Sequence, residues 1–580
     1  MTNRRSDYCG DLRESDAGRE VTVMGWVHRR RDHGGLVFFD LRDRSGIVQV
    51  VVDPGVPEAF AVAERVRIEY VVAVTGTVRR RPDGMVNDEL ATGRVELQPT
   101  VMTILAESQT PPFSPADTDL PDELLRLQYR YVDLRRPSLQ RNLILRDRVT
   151  FAVREYFHGH GFLEVETPAL ARSTPEGARD FLVPSRVHPG RFYALPQSPQ
   201  IFKQLLMVGG LDRYYQIVRV FRDEDLRADR QPEFTQIDVE TSFLDEDQIL
   251  ALMEGMVHHV FERALDVALP PFPRLSHADA MRLYGSDKPD LRAGPPIRDV
   301  GAIRSELAPA SPLAGAEALL AVDAPAVEFT RRQLDEMDRW AREQGFPGLI
   351  WVQMRHDGFR TNGSRALGDS GLAALRRATG LASGDWTFVV AGAGDVAHRQ
   401  AGQLRLKLAE ATDRLDRGFH FLWVTEFPLF EWATDEGRLR SAHHPFTMPM
   451  AEDLDRLDSH PLTVRSQAYD VVLNGVELAS GSVRIHDPRL QARIFALLGL
   501  SETEIDQQFG FLVNAFRYGP PPHGGIAFGL DRLVMMMAGA DSLRDVIAFP
   551  KTTSGSDPLM AAPSPVHPDQ LRELGLRLLT

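Results

Sequence analysis

Between Phe221 and Asp238 the chain reads FRDEDLRADRQPEFTQID, nine charges in eighteen residues, flanked by the apolar run YYQIV and by VETSF. Arginines, carboxylates and an aromatic ring held together are groups that could bind a polyanion, a cation and a planar base. The period of two in FTQIDVETSF predicts a strand. One face, Thr235, Ile237, Val239, Thr241 and Phe243, is expected to pack; the other, Phe234, Gln236, Asp238 and Glu240, to present its polar groups. Residues 223–233 then form a charged loop returning from an apolar strand that ends at Arg222. A solvated turn with surface ion pairs is the plain alternative, and the polar strand face weighs against it.

Two further stretches carry similar chemistry. In HGGIAFGLDRLVMMM, Gly524, Gly525 and Gly529 permit close backbone approach, and Leu530, Leu533, Val534 and Met537 recur at helical spacing. Arg532 falls in the first helical turn, where a polyanion is favoured. Neither a GxxxxGK[ST] phosphate loop nor a dinucleotide fingerprint is found. In YDVVLNGVELASGSVRIH, Asp470 and Glu477 flank an Asn-Gly turn, and Arg484 is expected on the following strand. Carboxylates without nearby Cys or paired His suit a hard cation such as Mg²⁺; two ordinary surface acids are the alternative.

These groups need a large scaffold. The 580 residues predict two to four domains, and 43% hydrophobic with 26% charged residues is globular composition. A net charge of −14 means that any nucleic-acid contact rests on local clusters. One cysteine, Cys9, excludes a disulfide framework, and no apolar run suits a membrane span or signal peptide, so a cytoplasmic location without membrane association is expected. Short strand-like runs between residues 20 and 105 predict a small barrel, and the proline-rich SQTPPFSPADTDLPDE a linker. Helical spacing of Leu145, Val149, Ala152, Val153 and Tyr156 follows. Then come strands at GFLEVETPAL, YALP, RYYQIVRVF and FTQIDVETSF, which suggest a mostly antiparallel sheet with helices. From 288 to 415 an Ala/Gly/Pro-rich α/β module interrupts, after which FHFLWVTEF and SVRIH resume the sheet. The expected domains are 1–108, a linker 109–124, 125–287, the insertion 288–415, and 416–580.

GFLEVETPAL, FRDED…F and G(I)AFGLDR resemble the three motifs of class II aminoacyl-tRNA synthetases. STPEGARDFLVP, QSPQIFKQ, HHPFT and GSVRIHDP resemble the bacterial aspartyl-tRNA synthetases over nearly the whole chain. The resemblance implies an α+β multidomain fold: an N-terminal OB-fold barrel, an antiparallel class II catalytic domain, and an inserted α/β module of the GAD type. It implies ATP-dependent joining of aspartate to tRNA-Asp, with Mg²⁺, in a homodimer formed around GFLEVETPAL. Arg222 and Arg532 would be catalytic. Glu176, Gln200, Lys203, Arg222, Asp238, His443 and Arg484 would bind aspartate, under a lid from Thr174 to Pro184. Arg222, Asp223, Glu224, Gln231, Phe234, Glu477, Gly529, Leu530, Asp531 and Arg532 would hold ATP, with adenine between Phe234 and Arg532, and Asp470 and Glu477 would bind the metal. Arg29, Arg30, Arg31, Phe38 and Gln49 would read the anticodon. His33 and Gly84 leave open whether tRNA-Asn is charged too. Ala479 and Ser480 depart from the family's GGGS. Asparaginyl- and lysyl-tRNA synthetases are the nearest alternatives, against which the Lys203/Arg484 pair and the insertion argue. An ammonia-using asparagine synthetase would need no barrel, and a non-catalytic OB-fold binder would not need Arg222, Arg532 and Glu477.

Overall fold

The computed structural model describes residues 4–173 and 177–579. The first unit is a closed barrel, in the order Glu20–His33, Leu36–Asp43, Gly46–Val52, Val95–Ala106 and Val71–Arg80. Alternate residues fill it, Val21 and Val23, then Val37, Phe39 and Leu41, then Val48 and Val50, with Cys9 and the helix Pro57–Arg65 closing the core. Glu69 ties the barrel to the body. It accepts two bonds from Arg42 at 3.0 Å and one from Arg135, beyond the linker, at 2.7 Å.

An eight-stranded sheet forms the body. Its order is Arg274–Ser276, Phe421–Thr425, Ala468–Leu473, Val476–Val483, His523–Gly529, Glu233–Ser242, Arg213–Phe221 and Leu163–Glu164, antiparallel except at its two edges. Helices Pro137–Gly159, Glu246–Leu265 and Leu530–Ala538 bury one face, with Ile237 and Val239 meeting Val149, Met253 and Val534 in the largest core. The presenting face of Glu233–Ser242 differs from expectation: Gln236, Asp238 and Glu240 are buried as well, because helix Gln200–Val208 and the segment at 443–447 roof them. Phe243 is not on the packed face either. It follows the strand with φ 60° and lies 67% exposed.

Two other expected strands are shorter or shifted. Of GFLEVETPAL only Leu163–Glu164 pairs in the sheet, since Pro168 and the residues before it leave no ladder to extend. The strand expected at SVRIH lies earlier, at Val476–Val483, and Arg484 stands one residue beyond it, bridged to Thr447.

The insertion has its own five-stranded sheet, Arg298–Asp299, Ala318–Ala324, Trp386–Gly392, Ile350–Arg355 and Gly358–Thr361. Alternation splits its cores. Leu320 and Val322 pack under helices Arg331–Glu343 and Gly394–Ala411, whereas Leu319 and Ala321 face helix Ser364–Thr379. Among the described residues no helix is long and apolar enough to cross a membrane.

Candidate active site

The roofed face of the sheet floors a cleft of about 1150 Å³. Of the residues expected around aspartate, ATP and metal, Asp223, Leu530 and Asp470 do not line it, and Glu176 lies outside the described residues. At its bottom, buried charges alternate. Lys203 Nζ donates to Asp238 Oδ1 at 2.7 Å and meets Glu240 Oε2 at 3.3 Å. The Arg484 guanidinium grips Glu240 from the other side, at 3.0 and 3.2 Å. Gly525 makes room for this: a Cβ there would stand 2.1 Å from Glu240 Oε2. Burial raises the Asp238 carboxyl above the usual carboxylate range. Burial acts the same way on Glu240, but Arg484 and Lys203 outweigh it and hold its carboxyl low.

Several polar atoms of residues lining the cleft are buried without a hydrogen-bond partner: Asp238 Oδ2, Gln200 Nε2, Gln236 Oε1 and Arg222 Nε. Buried polar groups are ordinarily paired, so a cluster of such atoms on one cleft marks where a ligand's polar groups fit. The sequence reading missed Glu240 as the link between the two cations. It also missed His444, whose Nε2 accepts from Arg484 at 2.6 Å and is therefore unprotonated. Burial, then Arg484, pushes His444 well below the ordinary imidazole range. His443 packs edge-on against Phe427 instead. The adjacent HH pair signalled the position, but only the fold shows which ring faces Arg484.

Toward the mouth, the Arg222 guanidinium lies 5.2 Å from the centre of the Phe234 ring. Arg532 donates to the Glu477 carbonyl at 2.8 Å and meets the Asp229 carboxylate at 3.5 Å, so it bridges the cleft walls. Glu224 pairs with Arg230 at 3.0 Å, and Asp223 N–H donates to the Arg179 carbonyl at 3.0 Å. Three expected nucleotide contacts have structural work for their side chains. Leu530 is in the core, Asp531 accepts from Arg146 at 2.5 Å and from Thr235 N–H at 2.7 Å, and Gln231 exchanges two hydrogen bonds with the Lys551 backbone. At Gly529 a Cβ would make only ordinary van der Waals contact, its nearest neighbour 3.7 Å away. Ala479 and Ser480 sit in the sheet opposite Phe528 and Ala527, where their side chains are accommodated. Of positions 479–481 only Gly481 is sterically required, a Cβ there falling 2.3 Å from the Gly525 carbonyl oxygen.

Asp470 and Glu477 stand on neighbouring strands joined by the Asn474–Gly475 turn. Asp470 Oδ1 is buried without a partner, and burial, then the Glu477 charge, raises the Asp470 carboxyl well above its usual range. Two close carboxylates with an uncommitted oxygen fit an oxygen-seeking cation that takes few protein ligands. Among the described residues no three His, Cys, Asp or Glu gather as a metal cluster, so such a cation would draw its other ligands from water or substrate.

A family model described as tRNA synthetases class II (D, K and N) matches residues 122–553, and an OB-fold nucleic acid binding domain matches 21–105. The chain belongs to the class II tRNA synthetases. An aspartate–tRNA(Asp/Asn) ligase of Moorella thermoacetica is 53% identical over 99% of this synthetase and 96% of the relative. An aspartate–tRNA ligase of Geobacillus kaustophilus is 50% identical over 99% of both chains. The fold matches that of an asparaginyl-tRNA synthetase from Pyrococcus horikoshii in complex with asparaginyl-adenylate, with TM-score 0.60 at 19% identity, over 95% of this chain and 99% of that one.

On the synthetase's barrel, strand register divides the three arginines. Arg29 lies opposite Asp40, itself opposite Gln49, and Arg31 lies opposite Phe38, so these share the outer face. Arg30 is opposite the inward-facing Phe39. The Gln49 amide donates to Glu96 at 2.9 Å. His33 ends the first strand at the Gly34–Gly35 turn, and Gly84, with φ 84°, lies in the loop after Arg80.

Proposed function

We propose that the chain activates L-aspartate with ATP as aspartyl-adenylate and passes the aspartyl group to tRNA-Asp. The observation that carries this reading is the buried alternation Lys203, Asp238, Glu240 and Arg484, with Asp238 Oδ2 and Gln200 Nε2 unpartnered. Lys203 and Arg484 would take the side-chain carboxylate, the arginine bidentately. Asp238 Oδ2 and the Gln200 amide oxygen, with Glu176, would accept from the ammonium end, and His443 would close over the substrate. Asparagine would leave two buried cations short of an anion, which supports rejection on the order of 10⁴-fold without editing.

The substrate α-carboxylate attacks the α-phosphorus, and no protein nucleophile is needed. Arg222 would stabilise the charge that develops there, its unpartnered Nε being free for an oxygen. Phe234 and Arg532 would hold the adenine, and Glu224 with the backbone around Gln231 and Gly529 the rest of the nucleotide. Asp470 and Glu477 would hold Mg²⁺, which supplies charge neutralisation at the phosphates. Arg29, Arg31 and Phe38 on one barrel face suit a stacked, single-stranded anticodon, with Arg30 on the opposite face adding backbone charge. A homodimer through the GFLEVETPAL segment is supported by Leu163 and Leu170, both half exposed. Domain limits near 108, 124, 287 and 415 and a cytoplasmic location belong to the same reading.

Relatives bearing the Asp/Asn name, together with His33 and Gly84, favour charging of tRNA-Asn as well. Aminoacylation with labelled aspartate on purified tRNA-Asp and tRNA-Asn transcripts tests this. Comparable charging of both is expected; charging of tRNA-Asp alone removes the relaxed reading, and charging of neither removes the function.

A further inference from the structure

The insertion reaches the acidic pair through a continuous set of contacts. On its helix Gly394–Ala411, Arg405 is 3% exposed and donates to the carbonyls of Asp290, Gly294 and Pro295 at 2.7, 2.7 and 2.9 Å. On the same helix a Cβ at Gly402 would stand 2.3 Å from the Tyr284 carbonyl oxygen. Residues 285–295 are thereby fixed to the module. Their other side rests on the Asn474–Gly475 turn: a Gly475 Cβ would meet the Asp290 side chain at 3.1 Å. That turn joins the strands of Asp470 and Glu477, and from the same loop Lys288 Nζ meets Glu477 Oε2 at 2.9 Å. Lys288 lines both the cleft and a second cavity of about 920 Å³ on the module side.

We infer that Lys288 is a positioning residue: it is the counter-ion of the Asp470–Glu477 pair while no divalent cation is bound, and cation binding releases it and the loop that holds the inserted module. This rests on the proposed cation site at that pair. Two adjacent carboxylates repel, and one ammonium at 2.9 Å offsets part of that repulsion. A divalent cation needs the same oxygens and brings twice the charge, so it competes with Lys288 for Glu477. The linkage is reciprocal: what the cation loses in affinity by displacing the lysine, the loop loses in order.

The test is calorimetric titration of Mn²⁺, with and without a non-hydrolysable ATP analogue, alongside hydrogen exchange of residues 285–295 and 394–411. Lys288 is 39% exposed, so Lys288→Met leaves the fold in place. In the wild-type protein Mn²⁺ should speed exchange of both segments several-fold. In Lys288→Met exchange should already be fast and indifferent to Mn²⁺, with Mn²⁺ bound about tenfold more tightly; Lys288→Arg should restore the wild-type response. A lysine that merely stiffened the loop would weaken Mn²⁺ binding on removal, and that result, or unchanged exchange and affinity, overturns the inference. Mn²⁺ that binds the wild-type protein under neither condition removes the cation site itself, and the inference with it.

Discussion

Glu240 is the residue on which the floor of the cleft depends, because it is shared by Arg484 at 3.0 Å and Lys203 at 3.3 Å with all three side chains at most 2% exposed. Neutralising one member of such a network leaves buried charge uncompensated. Glu240→Gln should therefore cost on the order of 3–5 kcal/mol in urea unfolding; a loss within 0.5 kcal/mol would mean that the cations are satisfied without it. Arg222 contrasts with it. Its guanidinium touches Phe234 and its Nε has no partner, so the fold asks little of it. Arg222→Ala should lower ATP–pyrophosphate exchange on the order of 10²-fold or more with unchanged circular dichroism, and near-normal exchange would strip it of its proposed role.

At the scale of elements, the hairpin carrying Asp470 and Glu477 is set by two residues in the left-handed region, Asn474 at φ 52° and Gly475 at φ 80°. Gly475→Ala adds strain and presses a methyl against Asp290 at 3.1 Å, so a loss of about 1–2 kcal/mol is expected in thermal melts. An unchanged melt would show that the loop at 285–295 yields freely. The Asn-Gly pair was legible as a turn because only such residues take this geometry readily. The helix after Gly529 was equally plain from Leu530, Leu533, Val534 and Met537, all of which the structure buries. The alternation in Glu233–Ser242 showed which residues share a face, but not that the polar face is roofed. Burial there comes from Lys203, more than thirty residues upstream, and from His444 and Arg484, some two hundred downstream or more. The local pattern of charges likewise could not reveal that the side chains of Asp531 and Gln231 are engaged by Arg146 and the Lys551 backbone. The expectation of Arg29, Arg30 and Arg31 as one anticodon set overlooks strand alternation, which turns Arg30 to the other face.

At the scale of the molecule, barrel and body are joined by a chain of side chains, His28, Arg42, Glu69 and Arg135. Glu69→Gln should weaken this joint, lowering tRNA charging several-fold while pyrophosphate exchange holds; equal losses in both would place Glu69 in the fold of the body itself. Burial, then Arg42, depresses His28 from 6.5 to about 4. The unfolded chain therefore binds the extra proton between those values, so His28's contribution is complete above pH 6.5 and is lost as pH falls toward 4, roughly 3 kcal/mol in all. His28→Gln should flatten the acid limb of the barrel's stability profile; an unaltered limb would assign it to other groups. The strand order also dictates a history for the nascent chain. Glu233–Ser242 has one neighbour, Arg213–Phe221, that precedes it closely in the chain, but its other neighbour, His523–Gly529, is synthesised well over two hundred residues later. Until then the future centre of the sheet is an open edge, the kind that recruits stray strands. Charged side chains disfavour stray pairing, and Asp238 and Glu240, the carboxylates of the finished pocket, lie on that waiting edge.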